Sequence, residues 1–254
     1  MLFDTHAHMD DRAFDADRTE LLTTSLPQAG IALLMNPGCS AASSEAAAAL
    51  TREYDYIYAA VGSHPDAADE VNDAVLDRYR QLCRENPKIK AVGEIGLDYH
   101  YEDIPRDIQK KAFVAQMELA RELKKPVIVH EREAHQDGMD VVTAFPEVTG
   151  VFHCFAGSVE MAQALIKMGW MLSFNGAATF KNAKKAPEVI AAVPLEKLLI
   201  ETDAPYLTPV PHRGERNDSS YVRFVAEKIA EIKGISAEEV EKATWENGKA
   251  FFGI

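Results

Sequence analysis

Eight short apolar runs, each ending in polar residues and most followed by a stretch patterned as helix, recur along the chain. They are LFDTHAH from Leu2, IALLMNPG from Ile31, IYAAVGSHP from Ile57 and IKAVGEIGLD from Ile89. PVIVHER from Pro126, GVFHCFAG from Gly150, WMLSFNG from Trp170 and KLLIETDAP from Lys197 complete the set. A continuous apolar run between helices is the mark of a parallel strand covered on both faces. Eight such units, with no Gly/Ser-rich linker between them, predict one closed parallel barrel, a (β/α)8 fold of the TIM-barrel type spanning residues 1–254 as a single domain. An open doubly wound sheet is the other architecture this alternation allows, but no dinucleotide or Walker glycine motif supports it.

The clearest helix is predicted at residues 105–124, where Ile108, Ala112, Ala115, Leu119 and Leu123 share one face and Pro105 suits the first helical position. Gly234 would end another helix, and Ser236–Glu239 would open the next as a capping box. Apolar residues make up 47% of the chain, the composition of an ordinary globular protein. Three cysteines (Cys39, Cys83, Cys154) without a CxxC pair argue against a disulfide framework and fit a reducing compartment. The N-terminus lacks the basic and apolar regions of a signal peptide. Residues 21–44 carry no charge, but Pro27, Gly30, Pro37 and Gly38 interrupt them, so no membrane span is expected there. These features predict a cytoplasmic protein. The net charge of −13 weighs against a broad electrostatic grip on nucleic acid.

Barrel enzymes carry their sites at the C-terminal ends of the strands. Strand one ends in His6 and His8, strand three at His64, strand four at Glu94, and strand five at His130 and Arg132. Strand six ends at His153, strand seven at Asn175 and strand eight at Asp203. Five of the eight histidines therefore fall at strand ends. Alternation along a strand sends His6 and His8 to one side, and likewise His130 and Arg132. Imidazoles with carboxylates form the ligand sets of Zn²⁺ and Mn²⁺. His6, His8, His130, His153, Glu94 and Asp203 are too many for one tetrahedral ion and suit two divalent ions (Mg, Mn or Zn) sharing a carboxylate. Cys154 points away from its neighbour His153 and is expected to be structural. Glu201 lies one step deeper than Asp203, in the barrel interior. His100 and His135 are expected at the surface, and His212 carries no assignment.

At these residues the chain resembles the TatD family of metal-dependent deoxyribonucleases. The matching stretches are FDTHAH at 3–8, VGSHP at 61–65, GEIGLDYH at 93–100, PVIVHER at 126–132, FHCFAG at 152–157, FNGAATFKNA at 174–183 and LLIETDAPYLTPVPHRGERN at 198–217, with ENGKAFFGI closing the chain. The resemblance implies that His6, His8, Glu94 and Asp203 hold one ion and that Glu94, His130 and His153 hold the second. It implies that His64 meets the substrate phosphate. Two places depart from the family pattern, Glu133-Ala134 after the strand-five motif and Asp218-Ser219 after HRGERN.

The resulting expectation is hydrolysis of DNA phosphodiester bonds at strand ends by metal-activated water, with Asp203, Glu94 and His64 catalytic. His64, Arg132, Asn175, Lys181 and Arg213 would bind the substrate. Lys181, Lys184 and Lys185 follow strand seven, while Arg213 and Arg216 follow strand eight, the loops where barrels commonly form phosphate sites. A small-molecule or aminoacyl-ester hydrolase could use the same centre, and the basic loops favour phosphate over it. DNA is thus the expected partner, with no membrane and no obligate protein partner.

Overall fold

The computed structural model describes residues 1–101 and 103–254. Its eight strands begin where the apolar runs place them. They are β1 Leu2–Asp4, β2 Ile31–Pro37, β3 Ile57–Val61, β4 Ile89–Asp98, β5 Val127–Arg132, β6 Gly150–Phe152, β7 Met171–Phe174 and β8 Leu198–Ile200. All eight belong to one sheet in chain order. The seam from β8 back to β1 is closed by Thr5 N–H donating to Ile200 C=O at 3.1 Å and His8 N–H donating to Ala204 C=O at 2.8 Å. A parallel bridge pairs Ala7 with Ala204. This is the (β/α)8 barrel that the alternation predicts.

Contacts within the chain gather into two compact units, neither a continuous stretch of sequence. The first takes residues 1–36, 54–57 and 154–254, and the second takes 37–53 and 58–153. In the first unit β7 pairs with β8 in parallel, and the last helix, Ala237–Phe252, closes over β1. Phe3 of β1 meets Phe252 with ring centroids 5.9 Å apart. That contact needs Gly248, where an added Cβ would stand 2.6 Å from Phe3 Cδ1. Asn247 beside it donates to the carbonyls of Leu195 and Leu198, both at 2.9 Å, and so ties the helix to the start of β8. Gly234 ends the helix Val222–Lys233 at φ 66°, and Ser236 and Glu239 form the predicted capping box.

In the second unit β3 to β6 pair in parallel. The predicted helix spans Arg106–Leu123, with Pro105 as its N-cap at ψ 141°. Pro105 thus stands just outside the helix; its fixed φ suits either position. The buried face is also turned from the predicted one. Gln109, Ala112, Phe113, Gln116, Met117, Leu119 and Ala120 are buried, so Ala112 and Leu119 of the predicted face are kept, while Ile108, Ala115 and Leu123 are half-buried. Two glutamines on this face explain the rotation. Gln116 donates to Ser63 C=O at 3.0 Å and accepts from Ser63 N–H at 2.7 Å. Gln109 does the same for Asp98, at 2.9 Å in each direction. An apolar count passes over both residues, although each satisfies backbone groups at a strand end.

Candidate metal centre

The first unit builds its group from the turns after β1 and β8. Asp4 ends β1 fully buried, accepting from Thr202 N–H at 2.9 Å, from the Thr202 hydroxyl at 2.5 Å and from His6 N–H at 3.3 Å. Burial pushes its carboxyl up to about 7, although these hydrogen bonds pull it back. Asp4 thus locks the two turns together. His6 and His8, two residues apart, project to one side with their Nε2 atoms 3.1 Å from each other. Asp203 Oδ1 completes the group at 3.7 Å from His6 Nε2 and 3.4 Å from His8 Nε2. The Asp203 backbone is left-handed, with φ 58°. A non-glycine residue held there costs on the order of 1–3 kcal/mol and persists only where its surroundings impose it. Here the Asp203 N–H is tied to His6 C=O at 2.9 Å.

The second unit builds its group on β4, β5 and the residue after β6. The pairing of β4 with β5 shifts register between Val92 and Ile95, the stretch that carries Glu94. Such irregularities re-aim side chains at functional sites. Glu94 is 2% exposed. Its Oε1 lies 2.9 Å from His130 Nδ1 and 2.8 Å from His153 Nε2, and these two nitrogens are 3.1 Å apart. His64 Nε2 stands 3.7 Å from the same oxygen, while its Nδ1 lies 2.7 Å from Asp66 Oδ1. Gly96 lets β4 approach β5 at this point. Its φ is 143°, and a Cβ there would collide with the His130 carbonyl at 2.0 Å.

Asp98, four residues beyond Glu94 on β4, carries the far side of His130, with Oδ2 at 3.2 Å from Nε2. Burial works against protonation of His130, but the hydrogen bonds from Asp98 and Glu94 outweigh it and raise the imidazole pKa. Asp98 was not anticipated from sequence. An aspartate closing an apolar run looks like a strand terminator, and only its spacing from Glu94 hints at more.

The donor atoms fit metal ions. An ion with ligands at about 2.1 Å separates them by about 3.4 Å if tetrahedral and about 3.0 Å if octahedral. The His6, His8 and Asp203 donors lie in the first range on average. The Glu94, His130 and His153 donors match the second. Carboxylate support for a ligating histidine, as Asp98 gives His130, is the usual arrangement around such ions.

The remaining predicted residues have varied placements. Asn175 is 2% exposed, donates to Glu201 at 3.3 Å and accepts from Ala177 N–H at 3.1 Å, so its amide is committed inside the protein. Glu201 is fully buried, as its depth predicted, and accepts from Cys154 N–H at 2.7 Å and from the Ser173 hydroxyl. Arg132 is exposed, with its guanidinium 5.2 Å from the Tyr101 ring centroid. Lys181 is exposed in the loop after β7. Arg213 lies over Phe180 at 4.0 Å and donates to Thr208 C=O at 3.1 Å. Arg216 is paired with Asp17 at 2.5 Å, and His212 stacks on Tyr221 at 4.5 Å. His100 and His135 lie at the surface, each beside a glutamate.

The sequence model of the TatD-related DNase family matches residues 3–253. The chain belongs to the TatD family. It is 44% identical over 259 aligned residues to YabD of Bacillus subtilis, named an uncharacterized metal-dependent hydrolase, with all of both chains covered. To YcfH of Escherichia coli K12, named likewise, it is 39% identical over 207 residues, 81% of this chain and 77% of that one. Among solved structures, the TatD homologue YjjV of E. coli K12 superposes with a TM-score of 0.93 at 30% identity, covering 100% of this chain and 98% of that one. These TatD relatives match a chain whose six predicted ligands stand in two groups of three, one in each unit.

Proposed function

We propose that this chain is a metal-dependent hydrolase that cleaves DNA phosphodiester bonds at strand ends, using two divalent ions. The observation that carries the reading is the pair of imidazole–carboxylate groups, His6–His8–Asp203 and Glu94–His130–His153, with donor spacings that suit one ion each. The family resemblance adds that Glu94 serves both ions. Bound there, divalent ions supply Lewis acidity, a water of lowered pKa and neutralisation of phosphate charge.

The protein's own groups do the rest. Asp203, with Oδ1 in the ligand group, would use its carboxylate also to orient the attacking water and accept its proton. His64, held at Nδ1 by Asp66, presents Nε2 to a nonbridging phosphate oxygen or to the leaving oxygen. Arg132 at the end of β5, Lys181 in the loop after β7 and Arg213 in the loop after β8 are exposed cations that would meet phosphate. With a net charge of −13, a grip limited to the strand end accords with the electrostatics better than a grip along a duplex. Among the described residues no helix is long and apolar enough to cross a membrane. Three free cysteines agree with work in the reducing cytoplasm.

The test is digestion of end-labelled single- and double-stranded DNA by metal-stripped protein, with Mg²⁺, Mn²⁺ or Zn²⁺ restored. Metal-dependent shortening from one end, absent in Glu94→Ala, is the expected result. Intact DNA under every metal would overturn the nuclease reading and turn attention to aminoacyl-ester or small-molecule esters.

A further inference from the structure

Within the second unit a cavity of about 250 Å³ adjoins the metal ligands, lined in part by His64, Asp66, Asp98, Tyr101, Asp103 and Ile104. Pockets for drug-sized ligands run from about 300 to 1,000 Å³, so this one has room for a single ring system and not for a length of chain. Two of its lining residues already belong to the centre: His64 stands 3.7 Å from Glu94, and Asp98 holds His130. Whatever occupies the cavity therefore lies beside the reacting bond.

Tyr101 determines what that occupant is. Its side chain is 58% exposed, one of the few large hydrophobic residues so open to solvent among those described. The Arg132 guanidinium lies 5.2 Å from its ring centroid, and the His100 ring meets it edge-on at 4.9 Å. The ring is thus braced by neighbours and still borders the cavity. Away from the His64 edge, the carboxylates of Asp66, Asp98 and Asp103 disfavour a further phosphate in this space, because like charges at close range repel. They accept hydrogen bonds, and so suit a neutral ring that carries N–H donors.

We propose that the cavity receives the unpaired nucleobase next to the scissile phosphate, stacked on Tyr101, with an exocyclic amino group turned to the carboxylates of Asp66 and Asp103. The proposal deepens the phosphodiester reading above and rests on it. Stacking on an aromatic platform tolerates every base, since each has a π-face. The acidic lining adds a preference: adenine, cytosine and guanine carry the amino group, whereas thymine does not. A base can enter only when unpaired, so single strands and frayed ends are favoured over closed duplex.

Two measurements on the full-length, metal-loaded protein test this. In the first, a short strand carries 2-aminopurine at the terminal position next to a phosphorothioate linkage, and its fluorescence is followed on titration with protein. Quenching is expected in the wild type and in Tyr101→Trp, and its loss in Tyr101→Ala. In the second, kcat/KM is compared for strands that differ only in whether the terminal nucleotide bears a base. Tyr101→Ala should lower kcat/KM on the base-bearing strand about 5- to 150-fold, mainly through KM, and leave the abasic strand unchanged. Equal quenching and equal kcat/KM in wild type and Tyr101→Ala would overturn the subsite and leave the nuclease reading standing. A wild-type protein with normal metal content that cleaves neither strand would remove the nuclease reading itself, and the subsite with it.

Discussion

Replacing Asp98 by Asn should loosen the metal held at Glu94, His130 and His153 without unfolding the protein. Asp98 is 5% exposed and touches no metal-facing nitrogen itself; its Oδ2 lies 3.2 Å from Nε2 of His130, on the side away from Glu94. Its Oδ1 accepts from His100 N–H at 2.9 Å, a bond that an asparagine oxygen can keep. The substitution therefore removes charge while preserving shape. Hydrogen bonds to a charged partner contribute about 1.5–3 kcal/mol against about 0.5–1.5 for neutral pairs, so roughly 1–2 kcal/mol of orientation is lost. That agrees with the roughly 10- to 100-fold drop in metal affinity seen when carboxylates behind ligating histidines are removed.

The assay is competition against a chromogenic chelator, with the His6–His8–Asp203 ion as an internal reference whose affinity should not move. The pH dependence supplies a second readout. His130 has a raised pKa, held up against burial by Asp98 and Glu94. Below that raised pKa it carries a proton that metal must displace, so affinity falls as pH falls. With Asp98→Asn one of the supporting partners is gone, and the fall should move to lower pH. Unchanged affinity at both positions, with an unchanged pH profile in a folded protein, would refute the role given to Asp98.

Three further outcomes follow from the packing and the buried polar groups. Gly248→Ala should destabilise the fold by about 1–3 kcal/mol, because its methyl would stand 2.6 Å from Phe3 Cδ1; a thermal melt showing no drop in Tm would contradict this. Gln116→Ala should orphan the buried N–H and C=O of Ser63, at roughly 1–3 kcal/mol for each group, and should raise KM through the neighbouring His64. Denaturant titration and steady-state kinetics read the two effects, and neither changing would count against the clamp. Asp4, with its carboxyl raised to about 7 from 3.8, holds a proton in the folded state that the unfolded chain releases. Its contribution is fully present below about pH 4 and lost as pH rises through about 7, at most roughly 4 kcal/mol. Metal-free Asp4→Asn should show a flatter stability curve over that window, and an unchanged slope would show that Asp4 is ionised in the folded state.

Much of the architecture is legible in the sequence because strands covered on both faces are continuous apolar runs, and all eight fall where such runs begin. The six metal-ligand candidates are legible for a related reason. Polar residues at the ends of buried strands stand out, and alternation fixes that His6 and His8 face the same way, as their 3.1 Å separation shows. Local signals at Gly234 and Ser236–Glu239 were equally clear, since a cap involves only a few neighbouring residues.

What escaped the sequence depends on partners distant along the chain. Gln116 lies 53 residues from Ser63, and nothing local marks it as buried. Asp98 acquires its role only from His130, 32 positions away by numbering, once β4 and β5 lie side by side. Asn175 ends a strand like the ligands do, yet Glu201 and the following turn take up its amide. Arg216 follows β8 as a phosphate-binding cation would, but Asp17, almost 200 residues earlier by numbering, holds it. Residue type and spacing nominate such side chains; their long-range partners decide what they do.

The central claim is that two metal-ligand groups each hold one ion. Metal content per chain, measured by mass spectrometry on protein equilibrated with Mn²⁺ or Zn²⁺ and freed of excess, tests it most directly when wild type is set beside His8→Ala and His153→Ala. The account predicts two ions in the wild type and one in each variant. A single ion in the wild type, or a content of two that survives both substitutions, would contradict it.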